Sequence, residues 1–102
     1  MNTTPLEKEI EKKIGDYAKQ HGVLYYKFTS PAKRAVPDRL LVAPGGAVGF
    51  LEIKRQGCKP TALQQLEMTK LKDKGCEVAW VDSVTNGRLF IDGLLKKKGE
   101  WV

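Results

Sequence analysis

The sequence predicts an α/β domain in which the elements follow the order helix, strand, strand, strand, helix, strand. Two segments space their apolar residues at helical intervals, four short apolar runs are typical of strands, and glycine or proline separates them. A chain of 102 residues provides one modest core, so we expect residues 1–102 to form a single domain.

The first helix is predicted to run from about Thr4 or Pro5 to His21. Threonine suits the N-cap, proline is favoured at the first helical position, and Gly22 follows the expected end. The apolar residues form one stripe that should face the core. This stripe contains Leu6, Ile10, Ile14, Tyr17 and Ala18.

Three acidic residues near the start of this helix point in different directions. Glu7 projects closest to Ile14, whereas Glu9 and Glu11 fall further from the centre of the apolar stripe. Glu7 therefore points inward most. It is either a partner for the helix dipole or a third carboxylate for a metal site.

A strand and a hairpin are predicted to follow the first helix. The strand covers Val23 to Phe28. The hairpin joins the apolar run Leu40 to Ala43 to the run Val48 to Leu51 through the turn Pro44-Gly45-Gly46. These strands are the central part of the expected sheet.

The second helix should begin at Thr61 and end at Lys74, with Gly75 as the stop signal. Thr61 and Gln64 match a capping box, so Gln64 either caps the helix or faces the active site, and these two roles partly exclude each other. The expected core side of this helix contains Leu63, Leu66, Met68 and Leu71.

The last part of the chain is less regular. Cys76 to Val81 is predicted to be a buried strand, and a short helix or turn is predicted around Leu89 to Leu95. The basic run Lys96-Lys97-Lys98 is typical of a solvated tail, which could also contact phosphates.

The residues with the clearest chemical potential are Asp38 and the segment Glu52-Ile53-Lys54. Residues two apart on a strand share a face, so Glu52 and Lys54 project together while Ile53 turns to the core. The hairpin returns Glu52 towards Asp38, and two carboxylates suit Mg²⁺ or Mn²⁺. Lys54 can then orient or deprotonate a water and offset phosphoryl charge. The alternative is an ordinary turn and a solvated charge pair.

The charge balance supports a polyanionic partner. The chain has 18 Lys plus Arg against 12 Asp plus Glu, a net charge of +6 and a pI near 9.4. Such an excess favours nucleic acid through counterion release. Basic charge alone is also common in soluble proteins that bind no nucleic acid, so this observation only supports the motif argument.

No apolar run approaches the length of a membrane span, and the N-terminal residues lack the apolar core of a signal peptide. We therefore expect an intracellular protein with no membrane partner. Cys58 and Cys76 are expected to be reduced, and their spacing from His21 matches no zinc site.

Several motifs taken together resemble the VRR-NUC domain, a branch of the PD-(D/E)xK nuclease superfamily found alone in phages and bacteria. The resemblance covers Glu7 to about Ser83 and implies a restriction-endonuclease-like core with a central mixed sheet flanked by helices. One departure is Ala35, where the family commonly has Gly. The matching segments are Tyr26 to Pro31, Val36 to Arg39, Pro44 to Gly46, Phe50 to Lys54, Lys59 to Gln64 and Gly75 to Asp82.

The resemblance also implies functional roles for individual residues. The family's aspartate and glutamate ligands for Mg²⁺ or Mn²⁺ fall on Asp38 and Glu52, with the main-chain carbonyl of Ile53 as a further ligand. Glu7 would help directly or through water. The implied catalytic residues are Glu7, Asp38, Glu52, Lys54 and Gln64.

Cleavage of branched DNA, such as Holliday junctions, by a homodimer is the activity that the resemblance implies. One chain offers one active site, and a two-fold dimer supplies the two that symmetric cutting requires. If the protein is phage-encoded, we expect it in the host cytoplasm. Leu94 and Trp101 could lie in the dimer interface or in the core.

Basic and hydroxyl side chains near these motifs are predicted to contact the DNA backbone, and such contacts position DNA without reading its sequence. The two alternatives are a nuclease specific for flaps, nicks or single strands, and a non-catalytic DNA-binding module. The predicted contacts are Lys27, Ser30, Lys33, Arg34, Arg39 and Lys59.

Overall fold

The computed structural model describes residues 5–97, which form three helices and four strands. The predicted order is confirmed, with a third helix added after the last strand. The elements are α1 (Glu7–Gln20), β1 (Leu24–Lys27), β2 (Arg39–Val42), β3 (Val48–Ile53), α2 (Ala62–Asp73), β4 (Glu77–Val81) and α3 (Val84–Lys96).

The four strands form one mixed sheet in the order β1-β2-β3-β4. The first two pairings are antiparallel, and β3 pairs with β4 in parallel because α2 carries the chain back along the sheet. The register places Glu52 beside Trp80 and Ile53 beside Val81. The predicted mixed sheet flanked by helices is confirmed.

The core lies between one face of the sheet and the helices α1 and α3. Leu51 and Ile53 of β3 are fully buried there together with Ile10, Ile14 and Ile91. Successive residues of a strand point to opposite faces, so Glu52 points away from this core. The helix α2 packs against β4 at the outer part of the sheet.

The predicted hairpin is confirmed, and its glycines explain the turn. Gly45 and Gly46 have φ values of 94° and 92°, a region that L side chains rarely adopt. The Ala43 amide donates a hydrogen bond of 2.8 Å to the Ala47 carbonyl, which closes the turn and aligns β2 with β3.

The helix α2 begins and ends where the sequence predicts, between the caps Thr61 and Lys74. The prediction for its core side was partly wrong. Met68 is buried, but Leu63 and Leu66 are 54% and 51% exposed. The helix lies near the outer part of the sheet, against β4, so fewer of its residues contact the sheet than the apolar pattern predicted.

The ends of the other two helices also differ from prediction. The helix α1 begins at Glu7 with Leu6 as N-cap and no side-chain capping bond, and the predicted cap Thr4 lies outside the described residues. The helix α3 extends well beyond the short segment that was predicted, and the Ser83 side chain caps it. Leu94 of this helix belongs to the core, whereas Trp101 lies outside the described residues.

No helix within residues 5–97 is both long enough and apolar enough to cross a membrane. Cys58 is exposed, Cys76 is half-buried, and both are free thiols as expected.

Two glycines in α3 have different surroundings and provide a test of the packing between α1 and α3. A Cβ at Gly87 would lie 2.2 Å from Cδ1 and 2.5 Å from Cγ1 of Ile14, whereas nothing lies within 4 Å of a Cβ at Gly93. We expect Gly87→Ala to lower the free energy of unfolding by about 1–3 kcal/mol through overpacking. We expect Gly93→Ala to raise it by up to about 1 kcal/mol, because alanine is the better helix former.

Thermal and urea unfolding followed by circular dichroism measure both effects. Both variants replace glycine with alanine in the same helix, so the difference between their free energies of unfolding reports the contact with Ile14. If Gly87→Ala were as stable as Gly93→Ala, this close packing would be wrong.

Candidate active site

Glu52 lies in β3 and Lys54 directly follows its last residue, and their side chains meet on one side of the sheet, as strand geometry predicts. The Lys54 ammonium lies 3.5 Å from Oε2 of Glu52. The backbone amide of Lys54 donates a 2.8 Å hydrogen bond to the Val81 carbonyl, which continues the parallel pairing past the end of the strand. Both side chains are therefore held by the sheet rather than by a loop.

Glu52 is a buried carboxylate, 2% exposed, whose two oxygens have different surroundings. Oε2 accepts a 3.3 Å hydrogen bond from Nε2 of Gln64 and lies beside Lys54. Oε1 is buried and has no hydrogen-bond partner within the part of the chain that the structure describes. Buried oxygens are normally satisfied, so this position favours either a bound cation or, when Glu52 is protonated, a hydrogen bond to the Asp38 carboxylate.

Gln64 fulfils both of the roles that its sequence position predicted. Its Oε1 accepts a hydrogen bond from the Thr61 amide at 2.9 Å, and the Thr61 hydroxyl accepts from the Gln64 amide at 3.2 Å. Its Nε2 is then free to donate to Glu52. The expectation that capping and facing the site partly exclude each other was therefore wrong, because the amide uses its oxygen for one and its nitrogen for the other.

A second group of acids lies at the same end of the sheet. One carboxylate oxygen from each of Glu7, Glu11 and Asp38 lies within 4.8 Å of the other two. Glu7 and Glu11 are one helical turn apart on α1 and so share a face. Asp38 precedes β2, and its carbonyl accepts a 2.7 Å hydrogen bond from the Phe28 amide, which fixes its backbone.

The pKa shifts connect the triad of Glu7, Glu11 and Asp38 with the pair of Glu52 and Lys54. Burial raises the pKa of Glu7, and the charges of Asp38 and Glu11 raise it further, while Lys54 lowers it. Burial also raises the pKa of Glu52 to about 7, and the charge of Asp38 acts in the same direction, against Lys54. Asp38 is thus close enough to affect both carboxylates, and the acids and the lysine belong to one site.

Arg39 begins β2 and lies inside this site, not in the loop that carries Lys33 and Arg34. Its guanidinium is 3.7 Å from Oε2 of Glu11 and lies over the ring of Tyr25, 4.5 Å from the ring centroid. The Tyr25 hydroxyl donates a 3.0 Å hydrogen bond to the Glu11 carbonyl. Arg39 therefore holds the position of an acid, and its predicted contact with DNA stays a prediction.

The structure brings together all five side chains that were predicted to be catalytic, and it adds one that was missed. Glu11 is partly buried and contributes to the triad. The sequence analysis left Glu11 out of the site because Glu11 projects away from the centre of the apolar stripe of α1. Its spacing of four residues from Glu7 is the signal that would have found it. The role of the Ile53 carbonyl as a metal ligand stays a prediction.

A groove leads from the predicted DNA-contacting loop to Asp38. It has a volume of about 290 Å³, and Ser30, Lys33 and Arg34 line it together with Asp38. Lys33 also lies 3.9 Å from Glu67 on α2. Two further predicted DNA contacts lie outside this groove: Lys27 ends β1, and Lys59 lies in the loop before α2.

The residues present fit a divalent cation. The donors are hard carboxylate oxygens, which suit Mg²⁺ and Mn²⁺. Three of them converge in the triad, and the buried Oε1 of Glu52 beside Asp38 has no partner among residues 5–97. The candidate ligands are therefore Glu7, Glu11, Asp38 and Glu52.

Comparison with known proteins identifies the family. No family model matches the chain. A relative described as "Putative nuclease p44", from Acyrthosiphon pisum secondary endosymbiont phage 1, is 42% identical over 77 residues, which are 76% of this chain and 83% of the relative. A solved structure described as a VRR_NUC domain matches with a TM-score of 0.78 and 25% identity, over 84% of this chain and 94% of that chain. The chain belongs to the VRR-NUC nuclease family.

A second solved VRR_NUC domain protein has the same fold, with a TM-score of 0.73 and 18% identity over 92% of this chain and 91% of that one. The restriction-endonuclease-like fold that the motifs implied is therefore confirmed, as is the resemblance to the VRR-NUC domain.

The triad provides a test of the missed acid, with a matched control on the same helix. Glu11→Gln removes one of three charges, and a unit charge about 4 Å from an ion contributes on the order of 1–4 kcal/mol in a partly solvated site. We expect Mn²⁺ to bind about tenfold or more weakly to this VRR-NUC variant. Glu9→Gln removes an equal charge outside the triad and should leave the affinity nearly unchanged.

Isothermal titration calorimetry of the DNA-free protein measures both affinities, and circular dichroism verifies that both variants are folded. Equal Mn²⁺ affinities for Glu11→Gln and Glu9→Gln would exclude Glu11 from the site.

The raised pKa of Glu52 predicts a pH dependence of stability. The unfolded carboxyl titrates near 4.5 and the folded one near 7. Protonated Glu52 therefore favours the folded state below pH 4.5, and this contribution is lost as the pH rises through 7. Without divalent cations, we expect Glu52→Gln to exceed the wild type in stability at pH 8 by on the order of 1–3 kcal/mol, with little difference at pH 4.

Thermal unfolding in EDTA at a series of pH values measures this difference, with Glu9→Gln as the control for removal of an exposed acid. A constant difference between Glu52→Gln and the wild type across this pH range would contradict the raised pKa.

Proposed function

We propose that this VRR-NUC protein is a metal-dependent, structure-selective DNA endonuclease that hydrolyses phosphodiester bonds. The observation that supports this most is the meeting of two groups at one end of the sheet. The triad of Glu7, Glu11 and Asp38 adjoins the buried Glu52, which Lys54 and Gln64 contact. A protein that only binds DNA has no use for four acids where phosphates must approach.

The metal is Mg²⁺ or Mn²⁺, and the residues that would hold it are Asp38 and Glu52, supported by Glu7 and Glu11. When bound, such an ion supplies Lewis-acid chemistry, because it makes water a better nucleophile and stabilises negative charge on the phosphoryl group. Arg39 positions Glu11 through the contact between guanidinium and carboxylate.

Lys54 acts on the attacking water and on the scissile phosphate. Its ammonium is held beside Glu52, so it donates hydrogen bonds from a fixed position and offsets the charge that develops as the phosphorus–oxygen ester bond breaks. Gln64 orients the Glu52 carboxylate by donating to Oε2, and its own amide is fixed by the helix cap. Gln64 stands on α2, and a backbone hydrogen bond to Val81 of β4 holds Lys54 at the end of β3, so both groups are positioned by the fold.

The loop that lines the groove provides the approach for the DNA backbone. Lys33 and Arg34 carry positive charge beside a hydroxyl, Ser30, and the groove ends at Asp38. Phosphate contacts of this kind fix the register of DNA without reading its sequence. Because such contacts are made to the backbone, we favour selectivity for DNA structure over selectivity for base sequence.

We favour a four-way junction as the substrate and a homodimer as the form of the protein that cuts it. Each chain contributes one site, and symmetric cutting of two strands needs two sites at a fixed separation, which a two-fold dimer supplies. The net charge of +6 assists binding to such a densely charged branched substrate.

The decisive experiment is cleavage of an end-labelled four-way junction with Mg²⁺ or Mn²⁺, compared with matched flap and linear duplex. We expect preferential cutting of the junction, no cutting in EDTA, and a loss of at least about 100-fold in Lys54→Ala, which removes a charged group next to the reacting atoms. Lys74→Ala, which removes an exposed lysine from the end of α2, should retain activity.

The other outcomes would either support one of the alternative functions or contradict the assigned site. Faster cutting of flaps or single strands would replace the junction with that substrate, and tight binding without any cutting would indicate a DNA-binding module. Equal activity of Lys54→Ala and Lys74→Ala would contradict the site assignment. Sedimentation of the protein with and without the junction tests the dimer separately.

A further inference from the structure

A second concave surface lies beside the active site, between α2 and the outer strand β4. Its volume is about 400 Å³, and its lining includes Trp80, Met68 and Gln65 together with the lysines Lys59 and Lys72. We refer to it as the Trp80 pocket. None of the predicted catalytic side chains lines it, so the proposed nuclease chemistry leaves it without a role.

The tryptophan of this pocket is more exposed than its apolar neighbours in β4. Trp80 is 39% exposed, whereas Val78 and Val81 of the same strand are buried. Met68 packs beneath the pocket and is itself buried. An exposed indole on a rigid strand presents a flat aromatic surface, and such surfaces stack with nucleic-acid bases.

The charge of the Trp80 pocket favours an anion. Lys59 and Lys72 line it, and none of its lining residues is acidic. Neither lysine has an acidic partner within residues 5–97, unlike Lys70 on the same helix, which pairs with Glu67 at 3.1 Å. Two uncompensated cations beside an aromatic ring match a nucleotide, which has a base to stack and a phosphate to bind.

The position of the pocket connects it to the proposed site of cleavage. Trp80 is the register partner of Glu52, so their Cα atoms lie about 5 Å apart on adjacent strands. The first turn of α2 separates the two surfaces, because Gln64 contacts Glu52 whereas Gln65 lines the Trp80 pocket. A DNA strand can therefore occupy both surfaces within a few nucleotides.

The loop that carries Lys59 is held in place by the end of β4. Asp82 accepts a 3.0 Å hydrogen bond from the Gly57 amide, and the Cys58 amide donates to the Arg55 carbonyl at 2.9 Å. Gly57 has a φ of 86°, which the turn requires. The main chain that leads to Lys59 is thus held in place, and Lys59 lines the pocket together with Trp80.

We propose that the Trp80 pocket binds an unpaired nucleotide of the DNA substrate, with its base stacked on Trp80 and its phosphates held by Lys59 and Lys72. The proposal rests on the proposed function in one respect, that DNA is the substrate. It adds a physical basis for structure selectivity, because fully paired duplex offers no unstacked base to this surface, whereas a branch point does.

Fluorescence tests the stacking directly, because the chain has two tryptophans and Trp101→Phe leaves Trp80 as the single reporter. Titration of this variant in EDTA with a short oligothymidylate should quench the emission of Trp80. An oligomer of the same length with abasic sugars retains the phosphates but has no base, and it should bind without comparable quenching.

Substitutions distinguish base stacking on Trp80 from phosphate binding by the two lysines. Trp80→Leu should weaken binding of the oligothymidylate by about tenfold or more, as loss of one stacked base does. The double variant Lys59→Gln, Lys72→Gln should weaken it as well and should reduce the salt slope by about 1.4, from two phosphate contacts of roughly 0.7 each. The double variant Lys13→Gln, Lys74→Gln removes equal charge from exposed positions outside the pocket and serves as the control.

The outcomes distinguish this proposal from the proposed nuclease function. A protein that cleaves junctions but shows no quenching, and equal affinities for Trp80→Leu and wild type, would overturn the Trp80 pocket alone. Quenching without any cleavage would support the pocket and contradict the nuclease. If Trp80→Leu instead changed the oligomeric state and left the affinity for oligothymidylate unchanged, the pocket would be a protein interface and the proposal would be wrong.

Discussion

The burial of one carboxylate, Glu52, is the constraint on which the arrangement of the site depends. Its strand neighbours Leu51 and Ile53 are fixed in the core, so the sheet presents Glu52 to the opposite face with no freedom to turn towards water. A buried charge requires compensation. Lys54 and Gln64 provide it at one oxygen only, so the other oxygen needs a proton, which it can share with Asp38, or a bound cation.

The acids of the site occupy two environments, which suits two tasks. Glu7 is exposed and Glu11 is partly buried, and both come from a helix, whereas Glu52 is enclosed by the sheet and by α2. Asp38 affects the pKa of both Glu7 and Glu52, so the titrations of the two environments are linked through it. Carboxylates in different surroundings have different pKa values, which allows one site to combine ion binding with proton transfer at neutral pH.

Local signals predicted much of this molecule. The hairpin and the cap of α2 depend on glycine, proline and the pair Thr61 and Gln64, which act within a few residues. The exposure of Leu66 and the contribution of Glu11 depend on how helices sit against the sheet, and apolar spacing along one helix does not determine that. The same limit explains why Trp80, predicted in a buried strand, lies open at the edge of the sheet.

The electrostatics of the whole chain and of the site have opposite signs, and this opposition constrains the order of events. A net charge of +6 draws DNA to the protein from a distance. At short range, the triad of Glu7, Glu11 and Asp38 repels the phosphate that must approach it. Arg39 offsets only part of this charge, because it contacts Glu11 alone among the three acids. If the chain acts as proposed, a divalent cation that enters before or together with the DNA would offset this repulsion, to which Lys54 already opposes a positive charge.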